Sequence, residues 1–149
     1  MAVYNDEEHV ATAVESVLQQ SFEEFEFVVV DDGSDDETWN IVSGYATEDE
    51  RFRPLRNESN QGLPASLNRG IDEARGEYVA RMDGDDVSRP ERFDVQVKHL
   101  DAHPDTHVVG CYVDRIGQRG EFLETRRYRS GRRDPAEMKA NGPGVAHPS

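Results

Sequence analysis

The apolar run Phe25-Glu-Phe-Val-Val-Val30 constrains the fold of this chain more than any other segment. Aromatic and β-branched residues favour strands. A strand without hydrophobic–polar alternation is typical of a parallel sheet that is covered on both faces. The polar sequence Asp31-Asp-Gly-Ser-Asp35 follows at once and is expected to end the strand in a turn. These residues predict a strand inside a parallel sheet with helices on both faces.

Other apolar runs alternate with segments in which apolar residues recur at helical spacing. The predicted helices are residues 7–20, 36–46, 63–75 and 90–102; the predicted strands are residues 1–4, 25–30, 52–57, 77–82 and 106–116, with a partner strand at 121–128. Such alternation implies right-handed βαβ units. The predicted fold class is therefore α/β, with a mostly parallel, Rossmann-like sheet flanked by helices.

Within the third predicted helix, Leu63, Leu67, Ile71 and Ala74 share one face, which is expected to pack on the sheet.

At the amino terminus, residues 1–4 read as the end of a strand, and residues 145–149 read as the entry to another element. We therefore expect residues 1–149 to be a single domain that is a fragment, truncated at both ends.

The sequence Asp83-Gly84-Asp85-Asp86 follows the predicted strand 77–82. Three carboxylates within four residues repel one another unless a cation or a hydrogen-bonding ligand lies among them. Mg²⁺ in proteins is usually held by one or two carboxylates together with substrate phosphates. The turn therefore predicts a site where a divalent metal meets a diphosphate. The alternative interpretation is a solvated acidic turn.

Ligands of doubly wound sheets bind beyond the carboxyl ends of the strands. This rule places Tyr4-Asn5, Asp31–Ser34 and Asp83–Asp86 in one crevice, since each lies at the end of a predicted strand. Separately, each segment has an alternative interpretation. Tyr4 could be an ordinary aromatic residue at a strand edge, and Asp31–Ser34 could be a strand-to-helix turn with an N-cap.

Composition limits the partners of the chain. Its 149 residues fit one domain, and its net charge of −14 argues against nucleic acid as a partner. No apolar stretch approaches the ~20 residues of a membrane span, and no signal peptide is visible. We expect a cytoplasmic protein, or one at the cytoplasmic face of the membrane when full length. The lone Cys111 is expected to be a buried, inert thiol.

The cations are mostly arginines, because only Lys98 and Lys139 are lysines, and isoleucine is scarce. Together with the excess of acids, this composition indicates a salt-adapted, halophilic source. Chance bias in a mesophilic protein is the alternative.

Eight short motifs occur in a fixed order along the chain. They are Ala2-Val-Tyr-Asn5, Ser16-Val-Leu-Gln-Gln-Ser-Phe22, Val28-Val-Val-Asp-Asp-Gly-Ser34, Asn60-Gln-Gly62, Asn68-Arg-Gly-Ile71, Gly76-Glu-Tyr78, Met82-Asp-Gly-Asp-Asp86 and Pro90-Glu-Arg-Phe93. In this order they resemble the nucleotide-sugar half of a family 2 glycosyltransferase with the GT-A fold. The resemblance covers essentially the whole chain, including His147-Pro-Ser149.

The resemblance implies roles for individual residues. Tyr4 matches the ring that stacks on the base, with backbone contacts from Ala2 nearby. Asp32 matches the carboxylate that accepts a hydrogen bond from the base, with Asp31 as its neighbour; such an acceptor suits the N3–H of uracil. In the acidic turn, which matches the DxD motif, Asp83 matches the residue that points to the ribose. Asp85 matches the ligand of a Mn²⁺ or Mg²⁺ ion that bridges the phosphates.

Residues Asn60, Gly62 and Asn68 resemble parts of the loop and helix that close over the nucleotide. The resemblance thus implies nucleotide binding by Ala2, Tyr4, Asp31, Asp32, Asn60, Gly62, Asn68 and Asp83, and metal binding by Asp85 and Asp83. The implied activity is metal-dependent, inverting hexosyl transfer from a nucleoside-diphosphate sugar, UDP-linked, to an unknown acceptor hydroxyl, as in cell-surface polysaccharide biosynthesis.

The family's general base is an acid downstream of the His-Pro-Ser sequence, whereas no acid follows Glu137 here. The base is therefore expected beyond Ser149, and residues 1–149 could bind nucleotide-sugar without turnover. A sugar-nucleotide pyrophosphorylase is a second enzymatic alternative, but it would need a glycine-rich loop near the amino terminus, and residues 5–20 contain no glycine. The basic run at 126–133 is either a solvated loop or a contact for an anion, and His147 could approach the phosphates.

Overall fold

The structure is a computed structural model of the chain, and it describes residues 1–117 and 120–127. The chain divides into two compact units, Met1–Asp101 and Ala102–Ser149. The elements up to the end of α4 are β1 (Ala2–Val3), α1 (Val10–Leu18), β2 (Phe27–Asp31), α2 (Thr38–Tyr45), β3 (Phe52–Arg56), α3 (Leu63–Glu73) and α4 (Arg92–Ala102). The second unit contains β4 (Val113–Ile116) and β5 (Phe122–Arg126).

The sheet of the first unit has the strand order β1-β2-β3, and both pairings are parallel. Ala2 lies opposite Val30, and Asp31 lies opposite Arg56. All five residues of the central strand β2 are buried, as its uninterrupted apolar sequence predicts. The observed architecture confirms the predicted α/β class.

The core lies between this sheet and helices α1 and α2. Val10, Val14 and Val17 form the buried face of α1 and pack with Val29 and Phe52. Because each valine lies three or four residues after the previous one, all three lie on one side of the helix. Burying such a side chain contributes about 1.5–3 kcal/mol, so this face fixes α1 against the sheet.

The predicted strand at 77–82 is absent from the described part of the chain. Residues 77–81 are exposed, and only Met82 reaches the core. A further parallel strand at this side would have to pair with β1, which contains two residues. β1 therefore has too few backbone N–H and C=O groups to pair with a strand of six residues.

The predicted inward face of α3 is wrong in part. Leu63 and Ile71 are 42% and 53% exposed, and the buried residue of α3 is Ser66. Ser66 Oγ accepts a hydrogen bond from the buried Asn57 at 2.8 Å. A Cβ atom on Gly70 would lie 3.5 Å from Val30 Cγ2. Small residues and a buried hydrogen bond therefore orient this helix on the sheet.

In the second unit, β4 and β5 form the predicted antiparallel hairpin, with Val113 opposite Arg126 and Ile116 opposite Phe122. Both strands are shorter than predicted. Cys111 precedes β4 and is exposed, so the prediction of a buried thiol is wrong: the ladder that was expected to cover residue 111 begins only at Val113. Among the described helices, none has both the length and the apolar character that crossing a membrane requires.

Candidate functional site

The carboxyl ends of β1 and β2 are joined by hydrogen bonds. The backbone N–H of Asp32 donates to the carbonyl of Val3 at 2.8 Å. One turn further, the backbone N–H of Asn5 donates to Ser34 Oγ at 3.0 Å, and Asn5 Oδ1 accepts from the N–H of Asp35 at 3.0 Å. Asn5 has a φ of 49°, a left-handed conformation that asparagine tolerates better than most residues. The polar segments after β1 and β2 therefore form one unit.

The acidic turn at residues 83–86 also packs against the end of β1. A Cβ atom on Gly84 would lie 2.7 Å from Val3 Cγ1 and closer still to a carboxylate oxygen of Asp6. Only glycine allows this approach without displacing its neighbours. Val3 thus contacts both the turn after β2 and the acidic turn, so the structure brings together the three segments that the sequence places in one crevice.

Asp32 is 3% exposed and holds the loop between β3 and α3. Its Oδ1 accepts hydrogen bonds from Asn57 Nδ2 at 2.6 Å and from the N–H of Gln61 at 3.0 Å. Its Oδ2 accepts from the N–H of Gly62 at 2.8 Å. Burial alone would raise the pKa of Asp32, but these donors and the Ser66 hydroxyl outweigh burial and lower the pKa. The carboxylate is therefore ionised at neutral pH.

Asp31 is completely buried and faces the protein rather than solvent. Its Oδ2 lies 3.1 Å from Arg56 Nε and accepts from the N–H of Ser34 at 3.3 Å, whereas its buried Oδ1 has no hydrogen-bond partner among the residues that the structure describes. Arg56 also donates to the carbonyl of Ser34 at 2.8 Å and lies 5.2 Å from the centroid of the Trp39 ring. Asp31 and Arg56 thus fix the turn that follows β2.

An open cavity of about 490 Å³ lies between this turn and the loop after β3. It is lined by Gly33, Ser34, Arg56, Asn57 and Glu58. The cavity is therefore formed at the carboxyl ends of β2 and β3, the edge where parallel sheets bind ligands.

Like charges crowd the acidic turn. Burial raises the pKa of Asp86, and the carboxylates of Asp85 and Asp83 raise it further. Asp83, whose side chain is 19% exposed, lies 2.7 Å from an Arg81 guanidinium nitrogen, while Asp85 is exposed. Burial also raises the pKa of Asp6, and the carboxylate of Asp85 raises it further. The mutual repulsion that the sequence predicts is thus present.

Within residues 1–117 and 120–127, no three His, Cys, Asp or Glu side chains are arranged to hold a metal ion by themselves. A divalent ion that is shared between one or two carboxylates and a ligand's phosphates does not need such a group. The exposed Asp85 beside the half-buried Asp83 fits this second kind of site.

The other residues implied by the resemblance lie in different environments. Ala2 is 8% exposed within β1, and Tyr4, directly after β1, is 46% exposed. Asn60 Oδ1 accepts from the N–H of Gly62 at 3.1 Å, and Gly62, with a φ of 88°, precedes the first residue of α3. Asn68 lies exposed on α3, outside the hydrogen bonds that the described residues make to Asp32. His147 and the other predictions made for residues 128–149 lie outside the described residues.

Sequence reasoning missed the contribution of β3. Arg56 ends this strand and Asn57 follows it, and they contact Asp31 and Asp32 respectively. Both could have been found, because the rule that ligands bind beyond strand ends applies to β3 as well. Arg69, which donates to Asn57 from α3, had no such signal in the sequence.

Known proteins share this sequence pattern. Residues 1–148 match the sequence profile described as Glycosyl transferase family 2. The chain is 40% identical over 124 residues to EpsE of Bacillus subtilis (strain 168), a protein named as a glycosyltransferase. It is 32% identical over 126 residues to the glycosyltransferase MJ1057 of Methanocaldococcus jannaschii, which is named as uncharacterized.

Among solved structures, TarS residues 1–349 from S. aureus in complex with UDP superposes with a TM-score of 0.64 at 33% identity. The same protein in complex with UDP-GlcNAc gives the same score and identity. The superposition with the UDP complex covers 69% of this chain and 31% of TarS 1–349. The matches cover 80% of this chain and 45% of EpsE, and 83% of this chain and 43% of MJ1057. The chain therefore spans less than half the length of these relatives.

The family profile spans the parallel sheet, the buried Asp32 network and the acidic turn that meet at the end of β1. With its GT-A fold, this chain belongs to glycosyl transferase family 2.

Proposed function

We propose that this chain is the donor-binding part of an enzyme that transfers a sugar from a nucleoside-diphosphate sugar, UDP-linked, to an acceptor hydroxyl. The observation that carries the proposal is the meeting of three polar segments at the carboxyl end of β1. One segment offers an exposed aromatic ring, another an ionised carboxylate and the third clustered acids. The ring can stack on a base, the carboxylate can accept the N–H of that base, and the acids can bind a diphosphate through a metal ion.

The base would be bound by Tyr4 and Asp32. Tyr4 is 46% exposed, and its ring can stack on a base. The Asp32 carboxylate, ionised at neutral pH, can accept the N3–H of uracil. Backbone groups of Ala2 would contact the nucleotide, while Asp31 would act through the turn that it fixes. The UDP and UDP-GlcNAc bound by TarS support a uracil nucleotide.

The loop and helix after β3 would close the nucleotide site. Asn60 and Gly62 lie in the loop whose backbone holds Asp32. Asn68 lies exposed on α3 and would reach the nucleotide only if the loop and helix close over it.

The diphosphate would be bound through Mn²⁺ or Mg²⁺ held by Asp85 and Asp83. A bound ion of this kind stabilises the negative charge that develops on a departing diphosphate. Arg81 would orient Asp83 towards the ribose, because it lies 2.7 Å from that carboxylate. Asp85, which is exposed, would hold the ion that the phosphate oxygens share.

The finer features of the proposed reaction come from the family resemblance. They are hexosyl transfer with inversion, a general base beyond Ser149, and a role in cell-surface polysaccharide synthesis at the cytoplasmic face of the membrane. If the base is missing, residues 1–149 would bind the nucleotide-sugar without turnover.

The net charge of −14 further supports a salt-adapted protein, whose melting temperature should rise with added KCl.

Isothermal titration calorimetry of the full-length protein with UDP and Mn²⁺ tests the proposal. The Asp85→Ala variant should bind UDP at least about tenfold more weakly than the wild type, which corresponds to about 1.4 kcal/mol. Asp72→Ala, which removes an exposed acid from α3, is the matched control and should bind normally. UDP binding that needs no metal and is unchanged in Asp85→Ala would overturn the proposed metal site.

A further inference from the structure

The side chain of Asn57 is the centre of a buried hydrogen-bond network beneath Asp32. Asn57 is 3% exposed. Its Nδ2 donates to Asp32 Oδ1 at 2.6 Å and to Ser66 Oγ at 2.8 Å. The two N–H bonds of this amide are thereby directed to one carboxylate and one hydroxyl, and the amide connects the end of β3 with α3.

Arg69 determines which end of the Asn57 amide faces Asp32. Its guanidinium donates to Asn57 Oδ1 and, at 2.8 Å, to the carbonyl of Arg56. A guanidinium has five N–H donors and no acceptor, so it can contact only the oxygen of the amide. The Nδ2 group must therefore face Asp32 as long as Arg69 is in place.

The network also limits how Asp32 can meet a ligand. Asn57 Nδ2 and the N–H of Gln61 both donate to Oδ1, whereas the N–H of Gly62 donates to Oδ2. A carboxylate offers about four lone-pair positions on its two oxygens. Two of these donors reach Oδ1 and one reaches Oδ2. Because the Ser66 hydroxyl is a fourth donor to the same carboxylate, a ligand's N–H would share an oxygen with one of them.

We infer that Asn57, oriented by Arg69, is a positioning residue that fixes the orientation of the Asp32 carboxylate towards the base of the nucleotide. This inference rests on the proposed function, since it concerns the same nucleotide site. Asn57 acts through Asp32 and needs no contact of its own with the ligand. The alternative is that the network only stabilises the junction between β3 and α3.

Two probes separate these possibilities in the full-length protein. UDP with Mn²⁺ uses both the base and the metal side of the site, whereas inorganic pyrophosphate with Mn²⁺ uses the metal side alone. Asn57→Asp keeps the shape of the side chain and an acceptor for Arg69, but it replaces the donor to Asp32 by a second carboxylate. Its UDP affinity should fall at least about tenfold, the scale of one lost hydrogen bond to a charged group. Its pyrophosphate affinity should stay within about twofold of the wild type.

Arg69 supplies a second pair of variants. Arg69→Met removes the donors that orient Asn57 and should lower UDP affinity without changing pyrophosphate affinity. Arg69→Lys keeps a group that only donates hydrogen bonds and should restore UDP affinity to within about threefold of the wild type. The matched controls are Asn40→Ala on α2 and Arg115→Met on β4, both exposed positions.

The outcomes distinguish the two proposals. UDP affinity at the wild-type level in Asn57→Asp would overturn the inference and leave the proposed function standing. An equal loss of UDP and pyrophosphate affinity would overturn it too, because the role would then be structural. A wild-type protein that binds neither probe would overturn the proposed function and this inference together.

Discussion

A Cβ atom on Gly33 would lie only 2.8 Å from the Cα atom of Ser59. The turn after β2 and the loop after β3 are therefore in backbone contact, with no room for a side chain between them. Gly33 also has a φ of 75°, a left-handed conformation that costs other residues about 1–2 kcal/mol. A polar residue lies on each side of this contact, and the two are hydrogen-bonded: Asn57 Nδ2 donates to Asp32 Oδ1 at 2.6 Å.

Gly33→Ala should consequently destabilise the protein by at least about 2 kcal/mol, because backbone strain and the clash with Ser59 add. Equilibrium denaturation with urea measures this loss. Gly44→Ala is the matched control: Gly44 lies in α2, and beyond its own stretch of helix no described atom lies within 4 Å of an added Cβ. Alanine at an open helical position is favoured by about 0.5–1 kcal/mol, so this variant should be as stable as the wild type or more stable. Equal losses in both variants would contradict the contact between the loops.

Asp32→Asn should destabilise the protein most near neutral pH. The pKa of Asp32 is lower in the folded protein than in an unfolded chain. The stabilisation from its ionised form is therefore fully present above the ordinary value of about 3.9. It is lost as the pH falls through the lowered, folded-state pKa.

At pH 7 the Asp32→Asn substitution should lower the free energy of unfolding by about 2–3 kcal/mol, since backbone donors then face an amide nitrogen. Chemical denaturation between pH 2 and 7 should show that the difference in unfolding free energy between the wild type and the variant becomes smaller below about pH 4. Asp72→Asn, at an exposed position, should stay within about 0.5 kcal/mol of the wild type throughout. A difference for Asp32→Asn that does not vary with pH would be inconsistent with an ionised carboxylate holding the loop.

Gln20 connects the end of α1 to the segment after the acidic turn. It is 5% exposed, donates to the carbonyl of Arg89 at 2.8 Å and to Ser88 Oγ at 3.1 Å, and accepts from the N–H of Phe93 at 3.0 Å. Gln20→Ala removes these three hydrogen bonds, including the acceptor of the Phe93 N–H, and should cost about 2–3 kcal/mol. Amide hydrogen exchange at Phe93 should also become faster.

The neighbouring Gln19 provides the control, because its side chain is exposed. Gln19→Ala should change the free energy of unfolding by no more than about 0.5 kcal/mol. Unchanged exchange at Phe93 in Gln20→Ala would show that the start of α4 is held by other contacts.

The sequence alone predicted much of this fold, and the confirmed elements share a cause. The five-residue strand β2 and the valine face of α1 each obey a single periodicity that their own residues impose. The polar segments after β1 and β2 meet because parallel strands end at a common edge. The acidic turn reaches the end of β1 without a preceding strand, through the close approach of Gly84 to Val3.

Other outcomes depended on neighbours that lie far away in the chain. The predicted strand at 77–82 does not form because β1 offers it two residues. The face of α3 is decided by Ser66, which accepts a hydrogen bond from Asn57 on the adjacent strand end. Local periodicity cannot anticipate either result.

The sequence by itself determined the parallel α/β architecture and the edge at which the polar segments after β1 and β2 meet, because hydrophobic periodicity and strand polarity are local properties. Only the tertiary structure decided what each of two adjacent carboxylates contacts. Asp31 and Asp32 are adjacent, yet Asp31 is buried against Arg56, whereas Asp32 faces the loop after β3. Their difference arises from donors on β3 and α3, whose positions are fixed only when the chain packs.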